Sequence, residues 1–378
     1  MIYFDNAATG GYKPSQVYES AVTCMKYLNV NAGHSGHRLA MHAENQVYKT
    51  RKLLASFFGA SAVERVIFTK NCTEALNLAI LGTAKKGGNV IVSVYEHNSV
   101  LRPLYYLRDR GIITITVATP ASDSGAILAS DIERAIKSNT YMVCLSGASN
   151  VTGVINDYEG IGALLKDKNI IFLLDAAQAA GHTYIDMQKQ NINALCAAGH
   201  KGLDAIQGSG CLLFDKNVNI SPTFFGGSGT ETFAERPSGY PELLECGTLN
   251  LPAIFSLYEG VLYNAENMAY KQQILLSLTK RLCENLSKNK NVTLYSRQNP
   301  AGIVSFAYNG HSSQEIAGVL SDYYDIAVRG GYHCAPLTHK FLHTDENGLV
   351  RVSFSEANTN AELDEFIYAI NDLPCHLA

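Results

Sequence analysis

Short, nearly continuous apolar runs alternate with helix-period stretches from about residue 14 to residue 215. Val66–Phe68, Val90–Val92, Met142–Leu145 and Ile170–Leu174 are bounded by polar residues or glycine. Such runs mark strands buried on both faces of a mostly parallel sheet. Between them, Pro14 suits a first helical turn, and Val17, Ala21, Met25 and Leu28 are expected on one helix face. Ser130-Asp-Ile-Glu133 has the capping-box spacing that opens a helix. The alternation predicts a three-layer α/β domain whose site lies at the strand C-termini.

After about residue 258 the pattern changes. A helical segment of roughly 265–288 leads to strand candidates at Ile303–Ala307, Ile326–Val328 and Val350–Phe354. Helices are expected at Ser313–Ser321 and Ala361–Asn371. The expectation is a large α/β domain over residues 14–258, with residues 1–13 and 259–378 forming a smaller α+β domain.

Hydrophobic residues make up 47% of the 378 and charged residues 17%, as in an ordinary enzyme. With a net charge of −4 and no long basic run, nucleic-acid binding is not expected. Nine cysteines without a CxxC pair suggest reduced thiols. No signal peptide is legible at the start, and the apolar runs are too short to span a bilayer. A cytoplasmic enzyme is expected.

The candidate chemistry begins at Lys201, which follows the apolar run Ala194–Ala198 and Gly199. Asp175 ends the preceding apolar run. An amine of lowered pKa at one strand end, with an acid at the next, suits pyridoxal phosphate. The amine forms a Schiff base and the acid keeps the pyridine nitrogen protonated. An isolated lysine is usually solvated, and an isolated acid there is a helix cap. Cys334, in "RGGYHCAP", is a second nucleophile, with Arg329 near enough to favour a thiolate. A zinc site from Cys334, His339 and His343 is weighed against it, but no further cysteine supports it. Cys72 and Thr73 open a helix whose free N–H groups suit a phosphate. Arg351, in "VRVSFS", suits a carboxylate.

"YFDNAAT", "EHNS", "SNVTG", "DAAQAAG", "GHK", "ECGTLN" and "RGGYHCAP" occur in that order along nearly the whole chain. This series resembles the class V aminotransferase-fold enzymes (pyridoxal phosphate-dependent transferases of fold type I), and most of all their cysteine desulfurases and selenocysteine lyases. The resemblance implies Lys201 as the Schiff-base lysine, Asp175 on the pyridine nitrogen, and Gln178 and Asn150 near the phenolic oxygen. It implies His97 over the ring and Cys72 and Thr73 at the phosphate, with His200 close by unless it is simply packed. Thr248 would reach the partner's cofactor in a homodimer, and the loop with Gly226, Gly227 and Gly229 would rim the site. Asn6, Ala7, His37, Asn150, Arg329 and Arg351 would meet the substrate. Two departures stand out. Ala198 replaces a usual hydroxyl, and in "NAGHSGHRLA" Ala32 and His34 replace a proline and an arginine. The implied reaction is cysteine desulfuration, with L-cysteine as substrate, a persulfide on Cys334, and a sulfur-acceptor protein or small thiol as recipient. L-Selenocysteine lyase activity is the alternative; a transaminase or a non-catalytic sulfur-relay scaffold fits less well.

Overall fold

The computed structural model describes residues 1–33 and 36–377, so His34 lies outside the described residues. The chain opens with β1 (Ile2–Tyr3), α1 (Ser15–Tyr27) and α2 (Arg38–Phe57). There follow β2 (Val66–Thr69), α3 (Cys72–Gly82), β3 (Gly88–Ser93), α4 (Asn98–Asp109) and β4 (Ile113–Ala118). Next come α5 (Ala129–Ala135), β5 (Thr140–Ser146), α6 (Tyr158–Leu165) and β6 (Ile171–Asp175). β7 (Ala194–Ala198) and β8 (Gly210–Phe214) precede a long loop and α7 (Leu251–Leu286). The remainder is β9 (Val292–Leu294), β10 (Ile303–Tyr308), α8 (Ser313–Tyr324), β11 (Ile326–Ala327) and β12 (Arg329–Gly331). It closes with α9 (Pro336–Leu342), β13 (Leu349–Ser353) and α10 (Asn360–Asp372).

The seven-stranded sheet has the order β2-β8-β7-β6-β5-β3-β4. β8 is antiparallel to both neighbours and the other pairings are parallel. Alternate residues enter two different cores. Val90, Met142, Cys144, Leu173 and Leu212 pack with Leu76 of α3 and Leu104 of α4. Ile91, Val143, Phe172, Leu174 and Leu213 pack with Leu54 of α2, Ile161 of α6 and Val261 of α7. Burial on both faces is why these strands read as unbroken apolar runs. The layered α/β architecture expected from the sequence is observed.

A second, antiparallel sheet has the order β12-β13-β10-β9, and β1 pairs in parallel with β11. Its core joins Val304, Phe306, Val350 and Val352 to Leu275, Leu278 and Leu282 of α7 and Phe366 of α10. α7 runs for 36 residues, about 54 Å at 1.5 Å per residue, and contributes to both cores. Gly260 lets its backbone press on the loop at Leu203–Ala205, where a Cβ would meet Leu203 O.

Several elements differ from their expected bounds. α7 begins fourteen residues before the expected 265, because Pro252 and the Asn250 cap start it on the large core. α5 begins at Ala129, with the Asp131 carboxylate accepting from Leu128 N at 2.9 Å, so Ser130 is not its cap. In α1, Cys24 takes the buried place expected for Met25, which is exposed. Seven residues return to the face of Val17, whereas eight overshoot it by about 80°.

Candidate active site

The C-terminal ends of β2, β3, β5, β6 and β7 lie on one edge of the large sheet, and the candidate residues follow from them. Asp175 is the last residue of β6, and Lys201 comes three residues after β7. Asp175 Oδ1 accepts from Ala177 N at 3.0 Å and from Cys72 Sγ at 3.5 Å. Asn71 caps α3 by accepting from Glu74 N at 2.9 Å. The preceding N–H groups, at Cys72 and Thr73, are those a helix start leaves without an intrahelical partner. Thr73 Oγ1 meets Ser99 Oγ at 2.8 Å, and Ser99 Oγ meets His97 Nδ1 at 2.9 Å. His97 caps α4, its Nδ1 accepting from Ser99 N at 3.0 Å, so the ring proton belongs on Nε2.

Burial sets the charges here. Lys201 is lowered from the usual lysine range, first by burial and then by the Arg351 charge, with Asp175 and Cys72 opposing. Burial raises Asp175, against the Ala177 N–H and Lys201. His97 falls to about 4, through burial and then Lys201, and is neutral near pH 7. A half-buried lysine with a desolvated amine thus sits within electrostatic reach of a buried acid, beside a helix N-terminus.

The small sheet supplies the other wall. Arg351 is buried on β13, which lies between β12 and β10 and is no edge strand. It donates to Asp5 Oδ1 at 2.8 Å and to Asn150 O at 3.0 Å. Arg329 is its antiparallel register partner on β12. Among the described residues, Arg351 Nε and Asn150 Oδ1 are buried without a hydrogen-bond partner. Cys334 is exposed, on a turn next to these residues. Asn150 Nδ2 donates to His333 O at 2.7 Å, and Asn98 N to Cys334 O at 2.8 Å. The cysteine turn is therefore tied to the loops after β3 and β5.

Gln178 Nε2 donates to Ala7 O at 2.9 Å, and Asn6, Ala7, Gln178 and Lys201 line one small cavity. The Asn6 amide is committed to the protein: its nitrogen bonds Ser353 O at 2.9 Å and its oxygen accepts from Gly11 N at 3.0 Å. That departs from a substrate-contacting side chain, because neither end is free. His200 bonds Thr9 Oγ1 at 3.0 Å rather than the start of α3. His37 is exposed and caps α2, accepting from Ala40 N at 3.3 Å. Thr248 is exposed on a cleft with Lys70, Glu74, Cys246 and Phe224. Gly247 N donates to Gly227 O at 2.9 Å, folding the glycine loop onto that segment. His339 is buried against Thr344 Oγ1 at 2.8 Å, and no group of three metal-ligating side chains occurs among the described residues.

Three features escaped the sequence reading. Asp5 partners Arg351, although only its neighbours had been assigned roles. Glu96 is fully buried beside His97; one oxygen takes Ser93 N, Ser93 Oγ and Ser146 N, and burial raises it to about 8. Its place three residues after the buried strand was the available signal. Lys271 of α7 bonds Asp204 Oδ2 at 2.6 Å and Gly202 O at 3.1 Å, clamping the segment after Lys201. A lysine inside a helical period gives no such signal.

The sequence matches the family described as Aminotransferase class-V over residues 2–366. It is 32% identical to a protein described as a probable cysteine desulfurase from Pyrococcus abyssi, covering 99% of this chain and 94% of that one. A similarly described protein from Borreliella burgdorferi is also 32% identical, over 98% of this chain and 91% of its own. The apo structure of a cysteine desulfurase from Thermococcus onnurineus superposes with a TM-score of 0.91 at 32% identity, covering 100% of this chain and 95% of that one. No helix among the described residues is long and apolar enough to cross a membrane. The chain belongs to the class-V aminotransferase family.

Proposed function

We propose that this chain is a pyridoxal phosphate-dependent cysteine desulfurase, which converts L-cysteine to L-alanine and stores the sulfur as a persulfide on Cys334. The observation that carries the reading is the meeting of a buried amine–acid pair, Lys201 and Asp175, with an exposed thiol tethered to the same strand ends. The relatives' descriptions point the same way.

The residues fit the cofactor. Cys72 and Thr73 would hold its phosphate with free N–H groups, and Asp175 would hold the pyridine nitrogen. His97 would stack on the ring, while the partnerless Asn150 Oδ1 and Gln178 would face the ring substituents. Bound there, pyridoxal phosphate supplies an electron sink for carbanion chemistry on an amino acid.

The chain does the rest. Arg351, with its free Nε, and Arg329 bind the substrate carboxylate and orient Cα. Lys201, whose neutral form burial favours, takes the Cα proton. Cys334 thiolate then attacks the substrate sulfur. The Cβ–S bond breaks, its electron pair stays on carbon, Cβ is protonated, and Lys201 returns the proton to Cα, leaving alanine and the Cys334 persulfide. A sulfur acceptor, protein or small thiol, discharges it.

We read the working form as a cytoplasmic homodimer, in which Thr248 reaches the partner's site. Exposed Tyr18, Val22 and Met25 on α1, Leu39 and Met41 on α2, and Phe224, Phe225 and Phe233 in the loop before Thr248 support the pairing. Nine free cysteines support a reducing compartment. Mass spectrometry of the cofactor-loaded protein after incubation with L-cysteine tests the proposal. The peptide containing Cys334 should gain one sulfur atom, and Cys334→Ala should abolish that gain; undiminished sulfur transfer by Cys334→Ala would refute it.

A further inference from the structure

Tyr332 to Ala335 form a turn closed by Ala335 N donating to Tyr332 O at 2.9 Å. Its two central residues, His333 and Cys334, have φ of 47° and 56°. Positive φ at both central positions is the type I′ pattern, which strongly prefers glycine, asparagine or aspartate. Neither residue here is of that kind. A strained backbone of this sort persists only where its surroundings over-determine it.

Three contacts do so. His333 O accepts from Asn150 Nδ2 at 2.7 Å, and Cys334 O accepts from Asn98 N at 2.8 Å. The His333 ring is buried, 2% exposed, and its Nε2 lies 3.1 Å from Leu349 O. A carbonyl only accepts, so the imidazole donates from Nε2. Leu349 begins the strand that carries Arg351. The ring thus ties the turn to the start of β13, beside Tyr332 Oη, which donates to Glu346 O at 3.0 Å on the segment leading into that strand, while the carbonyls of His333 and Cys334 tie it to the strand ends around Lys201.

We infer that His333 is a positioning residue for the nucleophile: its Nε2–H···O=C bond to Leu349 holds Cys334 in the left-handed conformation that presents the thiol to the site. The inference rests on reading Cys334 as the sulfur acceptor. It predicts that a shape-filling residue without the donor loosens the turn. Glutamine, whose amide nitrogen can occupy the place of Nε2, should restore it.

Hydrogen exchange of the purified, cofactor-loaded full chain, followed at the Asn98 and Ala335 amides, tests this. His333→Leu should speed exchange at both by about tenfold, the scale of one lost buried hydrogen bond, and His333→Gln should stay close to the wild type. Should His333→Leu not fold, His333→Asn takes its place with the same expectation, since asparagine tolerates left-handed backbone but is too short to reach Leu349. In turnover with L-cysteine, kcat of the leucine variant should fall about tenfold while KM and cofactor uptake stay unchanged, with recovery in the glutamine variant. Wild-type exchange in the leucine or asparagine variant would overturn the inference, as would equal loosening by glutamine. Failure of the desulfurase reading would show differently, as absent sulfur transfer in every form with the exchange pattern intact.

Discussion

Arg329 and Arg351 stand directly opposite each other across the antiparallel pair β12 and β13. Like charges facing across strands repel: Arg351 is lowered first by burial, raised by Asp5 and lowered again by Arg329. One carboxylate, Asp5, bonds Arg351. Two guanidinium groups against one acid leave a local positive charge, which an anionic ligand would relieve.

Replacing Arg351 by leucine should therefore weaken L-cysteine binding by about a hundredfold, the scale of a lost charge-assisted pair. Arg329→Leu should raise KM as well, yet leave the ligand-free chain as stable or more stable by about 0.2–1 kcal/mol. Steady-state kinetics and thermal melts read these separately. A clearly destabilised Arg329→Leu chain would contradict the repulsion.

Lys201 titrates below the usual lysine range because it is buried near Arg351. A base with a depressed folded pKa costs stability at neutral pH, a cost that disappears as pH rises toward 10.5. Cofactor-free Lys201→Met should accordingly be more stable than the wild type at pH 7, by on the order of 1–3 kcal/mol. The same variant should retain no cofactor after borohydride reduction and denaturation. Denaturant melts and intact-protein mass spectrometry check the two halves.

Glu96 is raised to about 8, mainly by burial. An acid whose folded pKa is raised contributes stability that is complete below the unfolded value near 4.5, and lost as pH rises through about 8. Between pH 6.5 and 8.5 the wild type should lose stability faster than Glu96→Gln, whose amide oxygen can still accept from Ser93 and Ser146. Parallel melts across that window that show identical slopes would exclude a protonated Glu96.

Lys271 is buried, 1% exposed, and pairs with Asp204 at 2.6 Å. Lys271→Met should destabilise the chain by about 3–5 kcal/mol, because it strands a buried carboxylate. Adding Asp204→Asn should recover much of that loss, since asparagine tolerates the positive φ of 57° there. A double-mutant cycle measures the coupling.

The layered fold was legible because strands covered on both faces are apolar through their middles, with polar residues confined to their ends: β3, β5 and β6 announce themselves as apolar runs. β4 and β8 went unread; β4 alternates apolar with threonine at the sheet edge. Lys201, Asp175 and Cys334 were nameable from motif order, since each stands just past a recognisable local element. Asn6 and His200 were nameable too, yet their hydrogen bonds go to Ser353, Gly11 and Thr9. Such choices of partner are not local.

What the chain order alone determined was which residue types follow which strand, because hydrophobic period and turn chemistry act over a few neighbouring residues. Only the tertiary structure decided that Arg329 faces Arg351, that Asp5 pairs with Arg351 from the opposite end of the sequence, and that Lys271 clamps the segment after Lys201. It also decided that His333 and Cys334 adopt a conformation their side chains disfavour. These depend on burial and on contacts between residues tens to hundreds of positions apart, and no local pattern encodes what a side chain meets once water is gone.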